Sequence, residues 1–244
     1  MRVGGLKLSV ILVTGASKGI GRAICELFKK SGDQVAGCSS SESTAQTIPA
    51  DLKLVADVTQ VEQVKRAIEL VVKKWGRIDV LVNNAGLAGE DELDSGSSDD
   101  LWHRILNVNL NGTYYFSKYC LPYFPQDGGR IINIASVLGL KGVPDAAAYC
   151  AAKHGVVGMT RSLAHTLAPR KITVNAVCPG WTRTEMGLSR LKEVGMKEAD
   201  LVTHVPLGRF LEPSEIASCV SFLASPESRA ITGQCLTVDG GVLA

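Results

Sequence analysis

The sequence has little that would direct it to a nucleic acid, a membrane or an oxidising compartment. Its formal net charge is only +2 over 244 residues, and its apolar runs are far shorter than the roughly 20 residues of a membrane span. The seven cysteines are an odd number and contain no CxxC pair, which indicates neither a disulfide framework nor a zinc site. The four histidines show no metal-ligand spacing. We therefore expect no metal, no nucleic-acid partner and no membrane contact.

The N-terminal run MRVGGLKLSVILV also lacks the long apolar stretch and small-residue cleavage site of a secretory signal. We expect a cytoplasmic protein, with an organelle matrix as the alternative. Hydrophobic residues make up 45% of the chain and charged residues 20%, which is typical of a folded globular chain and not of a disordered one. Because no repeat, linker or low-complexity tract divides the sequence, we predict a single domain over residues 1–244.

Short, nearly continuous apolar runs alternate with longer helical patterns along the chain. Such runs are typical of parallel strands that are buried on both faces. The predicted strands are Leu8–Val13, Gln34–Cys38, Leu52–Ala56, Ile78–Val82, Arg130–Ala135, Ile172–Cys178 and Cys235–Val238. Helical patterns include Gly21–Lys30, Val61–Trp75 and Tyr149–Thr166.

This alternation predicts an α/β fold, namely a single-domain Rossmann-type doubly wound parallel sheet of about seven strands with helices on both faces. Two stretches, Gly86–Asp100 and Gly180–Pro206, are predicted to be long and irregular. Each follows a predicted strand, and ligands bind at the carboxyl ends of the strands in such sheets. The two stretches therefore mark the expected ligand-binding edge.

A glycine-rich turn, Thr14-Gly15-Ala16-Ser17-Lys18-Gly19-Ile20-Gly21, follows the first predicted strand. Its GxxxGxG spacing allows a tight turn, and a helical pattern begins directly after it. The backbone of such a turn can approach a pyrophosphate closely, and a helix N-terminus favours negative charge. An ordinary turn could also contain three glycines, but the strand–turn–helix context favours a dinucleotide site.

The second predicted strand lacks the terminal acid that recognises the ribose 2′-OH of NAD. It continues as Ser39-Ser40-Ser41, and the first acid is Glu42. A carboxylate would repel a 2′-phosphate, whereas the hydroxyls of Ser39 and Ser40 beside the ammonium of Lys18 would bind it. We predict NADP(H) as the cofactor, with NAD(H) as the alternative.

Tyr149 and Lys153 are spaced i, i+4 on a predicted helix, so they share one face. A free tyrosine has a pKa near ~10, and a neighbouring cation lowers that pKa by stabilising the phenolate. Tyr149 could then exchange a proton with the oxygen of a carbonyl or an alcohol. Ser136 closes the fifth predicted strand at the same sheet edge and could hydrogen-bond that oxygen. A nucleophilic serine would instead need the GxSxG elbow, which the segment from Ala135 to Gly139 is not.

The ordered set of motifs resembles the classical short-chain dehydrogenases/reductases from about Leu8 to Gly241. It consists of TGASKGIG at 14–21, Asp57-Val58, Asn83-Asn84-Ala85-Gly86, Asn109, Ser136, Tyr149, Lys153 and Pro179-Gly180. The resemblance implies a hydride-transferring oxidoreductase whose catalytic residues are Asn109, Ser136, Tyr149 and Lys153. It also implies that Asn109 distorts its helix and holds a water linking Lys153 to solvent. Asn107 is the neighbouring alternative.

The resemblance further implies which residues contact the cofactor. Asp57 and Val58 would meet the adenine, and residues 84–86 would line the adenosine ribose. Lys153 would hold the nicotinamide ribose, while Thr182 and Thr184 would meet the carboxamide and diphosphate. The complete predicted set is Gly15, Ser17, Lys18, Gly19, Ile20, Gly21, Ser39, Ser40, Asp57, Val58, Asn84, Ala85, Gly86, Tyr149, Lys153, Pro179, Gly180, Thr182 and Thr184.

Within that family the C-terminal motifs most resemble those of 3-oxoacyl-[acyl-carrier-protein] reductases. They are 206–210, 215–217, 222–225, 231–233 and 238–241. This likeness implies reduction of a 3-oxoacyl thioester to the 3-hydroxyacyl thioester, an acyl carrier protein as a partner, and a homotetramer. The tetramer faces would be the helices after Trp102 and from Tyr149, together with the C-terminal strand.

Three features of the sequence depart from that subfamily. The loop 124–129 lacks the basic residues that would hold an acidic carrier, and the link from Ser41 to Leu52 is short for the usual helix. Acidic residues also crowd the expected rim of the site, at Glu90, Asp91, Glu92 and Asp94. Arg170-Lys171 is the basic pair left for docking. One alternative is a carbonyl reductase or alcohol dehydrogenase for a small uncharged ketone or alcohol, with either NADP or NAD as cofactor. The second alternative is a nucleotide-sensing relative without turnover. The intact catalytic set argues against the second of these.

Overall fold

The computed structural model describes residues 8–89 and 98–244. Within these ranges the strands are β1 Val10–Thr14, β2 Gln34–Ser39, β3 Leu52–Val55, β4 Val80–Asn83, β5 Gly129–Ile134, β6 Ile172–Pro179 and β7 Cys235–Val238. They form one parallel sheet in the order β3-β2-β1-β4-β5-β6-β7. The predicted α/β sheet is confirmed, and each predicted strand is present with its ends shifted by at most two residues.

The described helices are α1 Gly19–Lys30, α2 Glu42–Ala45, α3 Val61–Trp75, α4 Asp100–Leu106, α5 Gly112–Cys120, α6 Ala147–Leu167, α7 Glu185–Glu193, α8 Glu198–Val202 and α9 Pro213–Ala224. The predicted α3 is confirmed to the residue. None of the helices in the described part of the chain is long and apolar enough to cross a membrane.

Alternate residues of β1 face opposite sides of the sheet and divide the core into two layers. Val10 and Leu12 pack in a buried cluster with residues of α3, α5 and α6. Ile11 and Val13 pack in a second cluster with residues of α1 and α9. Because both faces of the strand are covered by helices, its sequence contains no polar alternation. The helices therefore lie on both faces of the sheet, as predicted.

The strand order reverses between β1 and β4, so the loops after these two strands diverge to opposite faces. A crevice forms outside the carboxyl ends of the strands at such a switch point, and dinucleotides bind there. In this chain β1 leads into the glycine-rich turn and β4 leads into Asn84. The topology thus brings the predicted phosphate turn and the Asn84–Gly86 segment together.

The prediction that Gly180–Pro206 is irregular was wrong, because α7 and α8 lie within it. The Thr184 hydroxyl caps α7 by accepting a hydrogen bond from the N–H of Gly187 at 3.0 Å. Leu191 is the buried residue of α7, so the helix has little of the apolar periodicity that sequence reading relies on. The short link between Ser41 and Leu52 holds only the four-residue α2.

Candidate active site

A cleft of about 1280 Å³ opens at the carboxyl edge of the sheet. Its walls contain every predicted site residue except Gly21 and Asn109. Both residues pack directly behind the cleft wall. A Cβ on Gly21 would lie 2.3 Å from the carbonyl oxygen of Gly15, which lines the cleft. Oδ1 of Asn109 would lie 2.9 Å from a Cβ on Gly86, another lining residue. The structure therefore gathers the candidate catalytic and cofactor residues around a single space.

The phosphate turn is built by close packing against Asn84. The side chain of Asn84 donates to the carbonyl oxygens of Thr14 and Gly15, each at 2.9 Å. Gly15 has a φ of 62°, and a Cβ there would lie 2.7 Å from the Cα of Ala85. Any side chain at Gly15 or Gly21 would collide with backbone, which explains the glycines. The turn leads into the N-terminus of α1, whose N–H groups have no intrahelical partner and suit an anionic ligand.

The adenosine end of the cleft carries hydroxyl groups and one ammonium group. The Ser39 hydroxyl lies 2.6 Å from that of Thr44 and 3.4 Å from that of Ser17, and Ser40 is exposed. Glu42, the first acid after β2, accepts a hydrogen bond from Gln46 and is not part of the cleft wall. The donors present at this end therefore fit a 2′-phosphate, and no carboxylate stands at the end of β2 to bind a free 2′-OH.

Burial dominates the electrostatics of the Tyr149–Lys153 pair. Nζ of Lys153 is buried, donates to the carbonyl oxygen of Ile134 at 2.9 Å, and lies 5.5 Å from the ring centroid of Tyr149. Desolvation lowers the pKa of Lys153 to about 8. Desolvation also raises the pKa of Tyr149 to about 12, and a hydrogen bond with Ser136 acts in the opposite direction.

The lowering of the Tyr149 pKa that we predicted from the spacing is therefore wrong for this structure. Burial of the phenol raises its pKa by more than the hydrogen bond with Ser136 lowers it, and the Lys153 ammonium directs its own hydrogen bond to Ile134. A phenol with a pKa of about 12 stays protonated near neutrality. The Tyr149 hydroxyl can therefore donate a hydrogen bond or a proton to an oxygen in the cleft.

Asn109 lies at the centre of a single π-helical turn, Asn107–Asn111, between α4 and α5. Its side chain donates to the carbonyl oxygens of Ile105 at 2.9 Å and Leu87 at 2.8 Å. The local distortion of the helix, implied by the family resemblance, is thus present. Asn107 is exposed and binds Asn111 instead. The backbone carbonyl oxygen of Asn109 accepts a hydrogen bond from the hydroxyl of Thr113 at 2.8 Å. The water-holding role of Asn109 stays a prediction.

Buried amides and hydroxyls fix the strands and the helix that carry the catalytic residues. The Asn83 amide donates to Ser117 at 3.0 Å and to the Asn133 side-chain oxygen at 2.9 Å. The Asn133 amide in turn donates to the hydroxyl of Thr160 on α6 at 2.9 Å. An unsatisfied buried polar group costs about 1–3 kcal/mol, so these bonds hold β5 and α6 in one register. Sequence reasoning missed this network, because isolated polar residues in apolar runs reveal no partner.

One part of the cleft wall, the apolar wall, carries exposed apolar side chains that sequence reasoning did not identify. Val143, Met186 and Val194 line the cleft there and are exposed. Trp181 lines the cleft as well, and its ring meets that of Phe210 edge-on at 6.2 Å between centroids. Met186 lies in α7 and Val194 directly follows that helix, within the segment that the sequence predicted to be irregular.

The acidic residues Glu90, Asp91, Glu92 and Asp94, predicted to crowd the rim, lie outside the described residues. The loop that lacks basic residues packs beside Arg170-Lys171, since the Gly129 N–H donates to the Lys171 carbonyl oxygen at 3.4 Å. Arg170 donates to the carbonyl oxygen of Leu121 at 2.7 Å.

A parallel sheet with a phosphate turn at its switch point, and a Ser–Tyr–Lys set in the same cleft, defines a dinucleotide-dependent oxidoreductase. A family model described as enoyl-(acyl carrier protein) reductase matches residues 15–243. The chain belongs to the short-chain dehydrogenase/reductase family, and it is an oxidoreductase of that family.

Several relatives cover nearly the whole chain. The 3-oxoacyl-[acyl-carrier-protein] reductase of Thermotoga maritima is 42% identical over an alignment of 247 positions, which covers 98% of this chain and 99% of that protein. Among solved structures, a variant of actinorhodin polyketide ketoreductase with NADPH has a TM-score of 0.91 and 38% identity, covering 96% of this chain and 97% of its own. The ligand-free aldohexose dehydrogenase of Thermoplasma acidophilum has a TM-score of 0.88 and 40% identity, covering 97% and 94%.

Proposed function

We propose that this protein uses NADPH to reduce a 3-oxoacyl thioester to the 3-hydroxyacyl thioester. The observation that carries the proposal is the convergence of Ser136, Tyr149 and Lys153 in the same cleft as the glycine turn and the acid-free end of β2. The 3-oxoacyl reductase from Thermotoga maritima and the NADPH-bound ketoreductase support it. An acyl carrier protein is the proposed macromolecular partner. The seven free thiols support a cytoplasmic location, because disulfides form in oxidising compartments.

Each catalytic side chain has one proposed task. When bound, NADPH supplies the hydride that adds to the carbonyl carbon. The Ser136 hydroxyl donates a hydrogen bond to the carbonyl oxygen, and Tyr149 gives that oxygen its proton, so that the product is the alcohol. Lys153 would carry positive charge and hold the nicotinamide ribose of the bound cofactor. Because Lys153 is buried, its charge acts in a low-dielectric setting, where electrostatic stabilisation is strong.

The apolar wall formed by Val143, Met186 and Val194 suits an acyl chain. We expect a CoA-linked or carrier-linked 3-oxoacyl substrate to give a higher kcat/KM than its short uncharged ester analogue. Charge reversal in Arg170→Glu should remove that advantage, because the introduced carboxylate would repel the anionic carrier. Arg66→Glu, on the exposed face of α3, is the matched control and should keep it. Steady-state NADPH consumption measures all three proteins.

A small uncharged ketone or sugar turned over far better than either thioester would contradict the acyl proposal. The likeness to the aldohexose dehydrogenase makes a small-alcohol substrate the second candidate.

The cofactor assignment predicts a selective loss on removal of Lys18. We expect Lys18→Ala to weaken NADPH binding by ~1.5 kcal/mol, about tenfold, the lower limit for a charge-assisted hydrogen bond because the site is open to water. NADH binding should change much less, since NADH has no 2′-phosphate. Fluorescence titration with both nucleotides measures this. Lys192→Ala, an exposed lysine outside the cleft wall, is the control.

A homotetramer is also proposed, since large apolar side chains remain exposed on α4, α5 and α9 at Trp102, Tyr114 and Phe222. Burial of such side chains between copies is favourable, because it removes apolar area from water. Light scattering at micromolar concentration should give a mass roughly four times that of the 25.9 kDa chain. A mass equal to that of one chain would rule the tetramer out.

A further inference from the structure

An ion pair spans the cleft between the phosphate turn and α7. Nζ of Lys18 donates to Oε2 of Glu185 at 2.7 Å, although the two residues are 167 positions apart in sequence. Both residues line the cleft, and their side chains are 67% and 68% exposed. Lys18 directly precedes α1, and Glu185 is the first residue of α7. A Cβ on Gly19 would lie 3.2 Å from Thr184, so the turn and the start of α7 pack against each other.

Two arginines close in sequence to this pair have partners of their own. Arg22 binds Glu26 at 2.9 Å and the carbonyl oxygen of Thr47 at 2.8 Å. Arg183 binds Glu198 and also Glu212 at 3.2 Å. The Glu185 carboxylate therefore acts on Lys18, the same ammonium that the proposed function assigns to the 2′-phosphate of NADP(H).

The two anions compete for one cation. A phosphate monoester carries about −1.5 to −2 charges at neutral pH, so it can displace a single carboxylate from Lys18. To bind, the 2′-phosphate must nevertheless break or share the ion pair between Lys18 and Glu185, and its negative charge then lies close to the Glu185 carboxylate. NADH lacks the 2′-phosphate, so its binding neither disturbs the ion pair nor adds this repulsion.

We propose that Glu185 is a specificity-determining residue that limits the preference of this protein for NADPH over NADH. The inference rests on the proposed cofactor and concerns how its binding is tuned. Ion pairs this exposed are weak, so the expected effect of the carboxylate is a two- to fivefold change, roughly, in the NADPH dissociation constant.

The test is a double-mutant cycle on nucleotide binding, with Kd values for NADPH and NADH from fluorescence titration. We expect Glu185→Gln to tighten NADPH binding roughly two- to fivefold and to leave NADH binding nearly unchanged. In the Lys18→Ala background the same substitution should have no effect on NADPH, because the shared ammonium is gone. Glu62→Gln is the matched control, since it removes an exposed carboxylate that pairs with Lys65 at 2.6 Å on α3, outside the cleft wall.

Three results would overturn the inference. In the first, Glu185→Gln tightens the binding of NADPH and NADH equally. In the second, it tightens NADPH binding as much in the Lys18→Ala background as in the wild type. In the third, it weakens NADPH binding, as expected if the ion pair holds α7 over the cofactor. No response to Glu185→Gln in a protein that prefers NADPH also removes the inference and leaves the proposed function intact. A wild-type protein that binds NADH as tightly as NADPH would remove the cofactor assignment itself.

Discussion

Replacing Tyr149 with phenylalanine is expected to lower kcat by roughly 10²–10⁴-fold, the usual contribution of a positioned general acid. The ring is partly buried and packs beside Ala148 and Ala152, so phenylalanine keeps this packing and loses the hydroxyl that donates the proton and bonds Ser136. Lys153 and the phosphate turn are unchanged in this variant, and NADPH affinity should therefore stay close to that of the wild type. Steady-state kinetics and NADPH titration on the same preparation separate the two effects.

Tyr115→Phe is the matched control, because Tyr115 on α5 packs against the core and does not line the cleft. It should retain wild-type kcat. A Tyr149→Phe protein with near-normal turnover would remove Tyr149 from the mechanism.

Lys153→Met is expected to damage both rate and binding, because the ammonium is assigned to two tasks. Methionine keeps a long unbranched side chain in the buried site but removes the charge. We expect NADPH affinity to fall about tenfold or more, from loss of a charge-assisted hydrogen bond of ~1.5–3 kcal/mol, and kcat to fall together with it.

The pH dependence of binding tests this role of Lys153 independently. Its pKa is lowered to about 8, so the group is protonated below that pH and loses its charge as the pH rises through it. NADPH affinity of the wild type should therefore decrease as the pH rises through about 8. Affinity of Lys153→Met should show no such step. A variant with the same pH dependence as the wild type would show that another group titrates.

The strands could be predicted because β1 and its neighbours are covered on both faces, which leaves an apolar run in the sequence. Their ends were less certain. The sequence predicts that β1 ends at Val13, whereas the structure extends it to Thr14. Thr14 is buried at the end of the strand. Its polar hydroxyl is satisfied there, because it accepts hydrogen bonds from the N–H groups of Asn84 and Ala85 at 2.9 and 3.0 Å. Those partners are distant in sequence, so the polar side chain looked like the start of a loop.

The sequence predicted those features of the site that involve residues close together in the chain. It did not predict features that depend on burial or on contacts between distant segments. The spacing of Tyr149 and Lys153 placed them on one helix face, and the structure agrees. Their pKa values depend on how deeply both groups are buried, which spacing does not reveal. The ion pair between Lys18 and Glu185 depends on α7, a helix that the sequence did not predict. The role of Asn109 came from family resemblance alone.

The chain of buried side chains from Asn83 through Asn133 to Thr160 has a consequence for how the protein opens. Because consecutive side chains share these hydrogen bonds, we expect β4, β5 and α6 to open as one cooperative unit. By contrast, α7 buries a single leucine and is tied to the phosphate turn by an exposed ion pair. Partial unfolding would thus begin on the substrate side, while the segments that carry Ser136, Tyr149 and Lys153 would remain protected from hydrogen exchange until the whole molecule unfolds.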